Sequence, residues 1–314
     1  MHGNAKFTAK DVPDLTGYVV IVTGGNSGIG YQTCLQLALR QARVYIGGRS
    51  GERVSKAIEE MQTAAGTTKL DLHFLQIDLQ NLSSVKAAAT SFAQRESRLD
   101  ILINNAGIMG VPYELTTDGY ELQWQVNYLA PYLLVSCLMP LLLTTASQSP
   151  SKDRVRIVNL SSEMTTLLGP KHMLLDDVNM PNHKGMTVLL QRYSHSKQGS
   201  IRHAKELNDR YSAQGVTAYS LHPGVVYTNL QGADPSCFGS FMQLTMKITP
   251  TVTPQEGALN SLYAATSPDA PAKGQGRFFV PVGKLQKSVD KWIDDREGNA
   301  KLWEHSERAI QHIN

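Results

Sequence analysis

Tyr193 and Lys197 are the two residues of this 314-residue chain whose types and spacing best fit chemistry. They lie four positions apart, and in an α-helix this spacing places a phenol and an ammonium on the same face. An ammonium favours a neighbouring phenolate, so we expect Lys197 to lower the pKa of Tyr193 and make it a proton donor near neutral pH. Ordinary half-buried helices show the same spacing with an exposed lysine, so the pair needs support from the rest of the chain.

A glycine-rich turn near the N-terminus gives that support. The apolar, β-branched run over 18–23 predicts a buried strand, and residues 31–40 carry apolar side chains at helical spacing. Between them lies a turn with three spaced glycines, and a strand, a glycine turn and a helix N-terminus together form a site for a pyrophosphate. The residues that we expect to bind a dinucleotide here are Gly24, Asn26, Ser27, Gly28, Ile29 and Gly30.

The second predicted strand, residues 43–48, ends at Arg49. Sites for NAD usually carry an acidic residue here that binds the ribose 2′-hydroxyl, and its carboxylate would repel a 2′-phosphate. An arginine instead binds a 2′-phosphate through charge-assisted hydrogen bonds, so the sequence predicts NADP(H) as the cofactor. A solvated loop arginine is the alternative.

Three further strands end at polar residues or turns. Residues 70–77 precede Asp78, whose carboxylate is placed to contact an adenine amino group, to cap the next helix, or to do both. Residues 99–103 open into an Asn-Asn-Ala-Gly sequence, and residues 216–221 precede a His-Pro-Gly turn. Such runs predict parallel strands whose carboxyl ends meet at one edge of a sheet.

Taken in order, these motifs resemble those of the short-chain dehydrogenase/reductases. The tail and the position of Arg49 are similar to the retinol dehydrogenase-like and fungal reductase branch of that family. The matching motifs are Thr23-Gly24, Gly28 to Gly30, Asp78-Leu79, Asn104 to Gly107, Asn127, Ser161-Ser162, Tyr193 with Lys197, and Pro223-Gly224.

The resemblance implies a role for each residue. Tyr193 would protonate a carbonyl oxygen during reduction, and Lys197 would lower the phenol pKa and bind the nicotinamide ribose. Ser162 would donate a hydrogen bond to the substrate oxygen, and Asn127 would anchor a water that connects Lys197 to solvent. The other implied cofactor contacts are Asp78, Leu79, Asn105, Ala106, Gly107, Val226 and Thr228.

Two of these assignments have alternatives. Ser161 and Ser162 are adjacent, and side chains alternate along a strand, so only one of them reaches the substrate; the family motif favours Ser162. Asn127 lies within an apolar segment, where its amide would serve equally well to satisfy backbone groups.

We predict one doubly wound α/β domain with a mostly parallel sheet of about seven strands, in the order 3-2-1-4-5-6-7. The 314 residues contain no linker-like stretch that would separate two domains. Three segments depart from the common pattern: an active-site insert at 163–192, a candidate substrate lid at 232–254 and a C-terminal extension at 284–314. For 232–254, a helix packed permanently on the sheet is the alternative to a lid.

Composition limits the other classes of function. The net charge of +3, without a lysine or arginine block, argues against a nucleic-acid partner. Three dispersed cysteines and no short-range ligand pairs indicate a cytoplasmic protein with no metal site. The apolar run at 128–143 contains two prolines and predicts a buried helix, not an integral membrane segment. In the family this helix often packs against a second subunit, so a homodimer is one candidate assembly.

The sequence thus predicts an NADPH-dependent reductase or dehydrogenase that acts on an apolar ketone, aldehyde or alcohol, with Tyr193 as general acid and base. An imine reductase or another tailoring enzyme would use the same residues. A cofactor-binding scaffold with little turnover is a third candidate, although such proteins usually lack the tyrosine or the lysine. Peripheral attachment of the 128–143 run to a membrane also stays open.

Overall fold

The structure, a computed structural model, describes residues 7–185, 187–226 and 251–313. Within these residues a single eight-stranded sheet runs through the centre of the protein. Its order is β3-β2-β1-β4-β5-β6-β7-β8. Strands β1 to β7 pair in parallel, and β8 pairs antiparallel with β7. The predicted order is confirmed, with β8 as an added edge strand. The strands are β1 Val19–Thr23, β2 Arg43–Gly48, β3 Leu72–Gln76, β4 Ile101–Asn104, β5 Val155–Leu160, β6 Val216–Leu221, β7 Phe278–Val280 and β8 Lys284–Leu285.

Helices cover both faces of this sheet, as a doubly wound fold requires. Every residue of β1, β4, β5 and β6 is buried, which explains why their sequences are nearly continuous apolar runs. The helices are α1 Gly28–Leu39, α2 Gly51–Ala64, α3 Leu82–Arg95, α4 Leu122–Trp124, α5 Ala130–Ser147, α6 Thr165–Leu168, α7 Val188–Tyr211, α8 Pro254–Thr266, α9 Asp269–Gly274, α10 Asp290–Ile293 and α11 Arg296–Ile310.

The long apolar helix is buried against the sheet, as predicted. Its segment Leu122–Ser147 is the one candidate membrane span among the described residues, with a mean hydropathy of 1.8, and 61% of that window is buried inside the protein. A π-helical turn, Gln125–Leu129, joins α4 to α5. Such turns are frequent at functional sites, and this one contains Asn127.

The C-terminal helix α11 packs on α5 and α7. Its Trp303 makes an edge-to-face contact with Tyr132 of α5, with ring centroids 5.2 Å apart. The buried guanidinium of Arg202, on α7, forms an ion pair with Asp295 at 3.0 Å and donates to Asn299 Oδ1 at 2.7 Å. This extension therefore braces the helix that carries Tyr193 and Lys197.

The predicted insert at 163–192 is more structured than a loop. It contains α6, a 3-10 turn at Leu175–Asp177 and the first residues of α7. Its Asn179 accepts a hydrogen bond from Glu121 N at 2.7 Å, which ties it to the segment before α4. Of the predicted lid at 232–254, residues 232–250 lie outside the described residues, and so does Thr228.

Candidate active site

The glycine turn lies between β1 and α1 with the geometry of an anion site. Gly24 and Gly28 have φ values of 66° and 55°, a left-handed conformation that favours glycine. A Cβ on Gly30 would collide with the Gly24 carbonyl, so the helix start and the turn approach as closely as the backbone permits. The Thr23 hydroxyl accepts hydrogen bonds from the backbone N–H groups of Asn105 and Ala106, both at 3.1 Å. The turn is thereby fixed to the loop after β4.

Two adjoining cavities extend from this turn. One of about 510 Å³ reaches Tyr193 and Lys197, and one of about 150 Å³ extends over the ends of β2 and β3. Together they are lined by every described residue that the sequence assigned to the cofactor, except Val226. These residues are Gly24, Asn26, Ser27, Gly28, Ile29, Gly30, Arg49, Asp78, Leu79, Asn105, Ala106, Gly107, Tyr193 and Lys197.

An elongated cleft with a glycine turn at its middle fits a dinucleotide. The missing Cβ atoms leave room for a pyrophosphate beside the N-terminus of α1. Val226 lines neither cavity; it is buried and forms a parallel bridge with Val252.

Arg49 lies where the two cavities meet and lines both. Its side chain is exposed, and its backbone carbonyl accepts a hydrogen bond from Gln76 Nε2 at 2.9 Å. Asp78 lines the smaller cavity and accepts from Gln80 N at 3.0 Å. The alternative that Asp78 caps α3 is wrong, because Asn81 Oδ1 accepts the capping bond from Ser84 N.

Tyr193 and Lys197 face the larger cavity from one side of α7 and are buried. The Lys197 ammonium donates a hydrogen bond to the Leu160 carbonyl at 2.8 Å, and it lies 5.9 Å from the centre of the Tyr193 ring. The end of β5 therefore determines where this ammonium lies.

Burial dominates the pKa of both groups. It raises the pKa of Tyr193 to about 12, against a smaller lowering by a hydrogen bond with Ser162. It lowers the pKa of Lys197 to about 8. The sequence predicted a phenol pKa lowered beside Lys197; the pKa is instead raised, because loss of hydration dominates it. At neutral pH the phenol keeps the proton that a general acid must donate.

The two adjacent serines have different partners. Ser161 Oγ donates to the Lys197 carbonyl at 2.7 Å, on the backbone of α7. Ser162 Oγ accepts from Met164 N at 3.2 Å and is hydrogen-bonded to the Tyr193 phenol. Ser162 is the serine that meets the phenol.

Asn127 is held in place by its side chain. Its Oδ1 accepts from Ile108 N at 2.8 Å, and its Nδ2 donates to the Ile108 carbonyl at 2.9 Å and to Ser196 Oγ at 3.0 Å. The alternative that this amide satisfies backbone groups therefore fits its two bonds to Ile108, and the third bond goes to the Ser196 hydroxyl. A Cβ on Gly107 would lie 3.0 Å from both Asn127 Oδ1 and Lys197 Nζ, so this glycine lets the two side chains approach the cavity together.

Sequence reasoning missed two contributors to the site. The Leu160 carbonyl gave no signal, because any residue supplies one. The other is Asn260 of α8, the helix that starts at Pro254; Pro254 itself is the last residue of the predicted lid and lines the larger cavity. The helix start itself was visible in the sequence, since Thr253 and Glu256 form a capping box.

The histidines that lie nearest the site do not gather around a metal position. His195 accepts from Leu174 N at 3.2 Å and stacks on Trp124. Over the described ranges we find no group of three or more His, Cys, Asp or Glu side chains that could hold a metal ion.

Known proteins are similar to this chain in sequence and in fold. The profile of the short chain dehydrogenase family matches residues 18–173. A short-chain dehydrogenase/reductase of Aspergillus calidoustus, drtF, is 37% identical over 310 residues, which cover 96% of each chain. Mouse retinol dehydrogenase 11 is 39% identical over 253 residues, 80% of this chain and 74% of that protein.

Two solved structures extend the comparison. A protein from Mycobacterium paratuberculosis has a TM-score of 0.72 and 29% identity, with 98% of both chains covered. An NADPH-bound carbonyl reductase from chicken fatty liver has a TM-score of 0.61 and 25% identity, with 87% of this chain and 99% of that one covered. This chain therefore belongs to the short-chain dehydrogenase/reductase family of nicotinamide-dependent oxidoreductases, in the branch that contains fungal reductases and retinol dehydrogenase 11.

Proposed function

We propose that the protein is an NADPH-dependent reductase that moves hydride between the nicotinamide and an apolar ketone or aldehyde, reversibly with the corresponding alcohol. One observation carries the proposal. The neutral Tyr193 phenol, hydrogen-bonded to Ser162, faces the same cavity as the glycine turn. A proton donor and a cofactor cleft in one cavity are what carbonyl reduction requires.

The chain's own residues supply the proton and its position. When bound, the cofactor supplies the hydride. When a carbonyl substrate is bound, the Ser162 hydroxyl exchanges its hydrogen bond with the Tyr193 phenol for one to the substrate oxygen, and Tyr193 gives its proton to that same oxygen. Lys197, whose pKa of about 8 keeps most of it charged at neutral pH, stabilises the phenolate that remains. Asn127 ties the π-helical turn beside this ammonium to the backbone of Ile108.

Arg49 supports the choice of NADPH over NADH. Among the described residues its guanidinium has no recorded ion pair or hydrogen bond, and it is exposed at the junction of the two cavities. A free, planar cation at the end of β2 is suited to a 2′-phosphate. The related chicken carbonyl reductase was solved with NADPH bound.

An apolar substrate is supported by a relative of this chain. Mouse retinol dehydrogenase 11 takes its name from retinol, an apolar alcohol. We further propose a cytoplasmic location and a homodimer. Light scattering of the purified protein tests the homodimer. Because α11 covers part of α5, the dimer requires a surface other than that part.

The decisive experiment is a screen of ketones, aldehydes and their alcohols with each cofactor, followed by Arg49→Asp. We expect turnover of an apolar carbonyl with NADPH in the wild type. Because the variant loses a charge-assisted bond and adds a repelling carboxylate, its kcat/KM ratio of NADPH to NADH should fall roughly 100-fold. Arg53→Asp, at an exposed position on α2, is the matched control and should leave the ratio unchanged. An unchanged ratio in Arg49→Asp would remove this residue from the phosphate site.

A further inference from the structure

Helix α8 begins at the larger cofactor cavity and packs against both of the turns that border it. Its first residue, Pro254, lines the larger cavity together with Pro223, Tyr193 and the glycine turn. It also packs along α1, the helix that begins at the glycine turn. One helix thus contacts the turn on the phosphate side and the turn after β6 on the catalytic side.

Gly257 is the point where α8 approaches both turns. A Cβ at this position would lie 2.7 Å from Val226 Cγ2 and 3.2 Å from Ile29 Cγ1. Ile29 belongs to the glycine turn and Val226 to the turn after β6. The absence of a side chain at Gly257 therefore determines how closely the two turns approach each other across α8.

Asn260 holds the turn after β6 from beneath. This residue is fully buried one helical turn beyond Gly257. Its Nδ2 donates to the His222 carbonyl at 2.8 Å and to the Phe279 carbonyl at 3.2 Å, and its Oδ1 accepts from Gly283 N at 2.9 Å. One amide thus joins the carboxyl ends of β6 and β7 to the start of the β8 hairpin.

The same point is held from the sheet, because His222 N donates to the Phe279 carbonyl at 2.8 Å. Asn260 Nδ2 bonds to that carbonyl and also to the carbonyl of His222. The residue that starts the turn is therefore fixed through both of its peptide groups. A buried amide with three hydrogen bonds specifies one arrangement of the segments it joins.

We propose that Asn260 and Gly257 are positioning residues that set the turn at residues 222–226 against the glycine turn, and so strengthen binding of the nicotinamide half of the cofactor. The inference rests on the proposed placement of the nicotinamide beside that turn. It assigns to α8 a part of the cofactor site that no local motif in the sequence marks.

The test compares two ligands. NADPH spans the whole cleft, whereas adenosine 2′,5′-bisphosphate lacks the nicotinamide half. In Asn260→Ala we expect the Kd for NADPH to rise about tenfold, because the turn loses hydrogen bonds that hold it in the binding position. The Kd for the bisphosphate should stay within about twofold of the wild-type value. Calorimetric titration gives both constants without turnover.

Asn299→Ala is the matched control. Asn299 is also a buried asparagine, with its Oδ1 accepting from Arg202 and its Nδ2 donating to the Ile293 carbonyl, but it lies in the C-terminal extension. It should lower Tm as Asn260→Ala does and leave both Kd values unchanged. Should Asn260→Ala fail to fold, Gly257→Ala makes the same test, with an expected rise of about fivefold for NADPH.

Equal changes in both Kd values would show a general structural role for Asn260, and an unchanged Kd for NADPH would show no role in cofactor binding. Either result overturns the inference. Failure of the proposed cofactor preference looks different, since the wild type itself would then bind NADH without binding the bisphosphate. The same comparison, made with NADH and AMP, would then decide the role of Asn260.

Discussion

The two sides of the cofactor cleft are built in different ways. On the phosphate side, the conformation of the turn between β1 and α1 depends on glycines that are close in sequence, since Gly24, Gly28 and Gly30 lie within seven positions. The Thr23 hydroxyl then ties this turn to the loop after β4. On the catalytic side, the turn after β6 is held by Asn260 and by backbone groups of Phe279 and Gly283, 38 to 61 residues away from His222.

This difference indicates which property of the enzyme each side of the cleft controls. A turn whose conformation comes from its own glycines binds a common part of the cofactor, the pyrophosphate. A turn fixed from several distant elements moves when any of them moves, so it is the side on which substrate range and nicotinamide orientation can be adjusted. Substitutions in the glycine turn should therefore act on cofactor affinity, substitution of the proton donor Tyr193 on the chemical step, and substitution of Asn260 on binding of the nicotinamide half alone.

Tyr193→Phe should give the largest effect and the clearest separation. The variant keeps the buried ring and loses only the proton donor, so kcat should fall about 1000-fold, within the range typical of a positioned general acid. The Kd for NADPH should change by less than about twofold, since the hydroxyl contributes to the chemical step and not to cofactor binding. Steady-state kinetics and a fluorescence titration measure the two quantities.

Tyr211→Phe is the control for this prediction, because Tyr211 ends the same helix but lies outside both cofactor cavities. It should keep wild-type kcat. Substantial turnover by Tyr193→Phe would transfer the acid role to another group, and a large rise in its Kd would contradict the division between the two sides.

Gly30→Ala tests the phosphate side. The added methyl group would collide with the Gly24 carbonyl, a backbone atom that cannot move aside without opening the turn. We expect the Kd for NADPH to rise about 100-fold, while kcat extrapolated to saturating cofactor stays near that of the wild type. Gly274→Ala is the control, since the nearest atoms there belong to the flexible side chain of Arg277. A Gly30→Ala enzyme with normal affinity would show that the turn does not bind the pyrophosphate.

The sequence predicted the parts of this molecule that rest on local patterns. The glycine turn and the burial of the 128–143 helix follow from apolar runs and glycine spacing, which a single segment displays, whereas the strand order followed from the doubly wound fold that the family resemblance implied. Strands β2 and β6 even begin and end where predicted, because glycine, proline or polar residues bound their apolar runs.

Contacts between distant segments were not predictable in this way. That the Leu160 carbonyl fixes Lys197, and that Asn260 fixes the turn after β6, depends on the packing of α7 and α8 on the sheet. The pKa of Tyr193 was predicted in the wrong direction for a related reason. The spacing of Tyr193 and Lys197 revealed the ammonium, but not the extent to which both groups lose water.

Lys197→Met has the smallest expected effect. It tests, in the protein without cofactor, the explanation that loss of water determines the pKa values of this site. Burial lowers its pKa to about 8, whereas an unfolded lysine titrates near ~10.4. Between these values the unfolded chain binds a proton that the folded protein has released, so wild-type stability rises with pH. Lys197→Met lacks this contribution, and its stability relative to the wild type should fall by on the order of 2 kcal/mol between pH 8 and ~9.5.

Urea unfolding of both proteins across this range measures the difference, and groups that titrate in both proteins cancel. Tyr193 does not interfere, because its raised pKa of about 12 reduces stability only above the ordinary phenol pKa of ~10. A difference that stays constant with pH would mean that the buried ammonium keeps the pKa of a hydrated one. Its hydrogen bond to the Leu160 carbonyl would then have to compensate for the lost hydration. The Lys197 ammonium would in that case be as stable in the buried site as at the exposed surface.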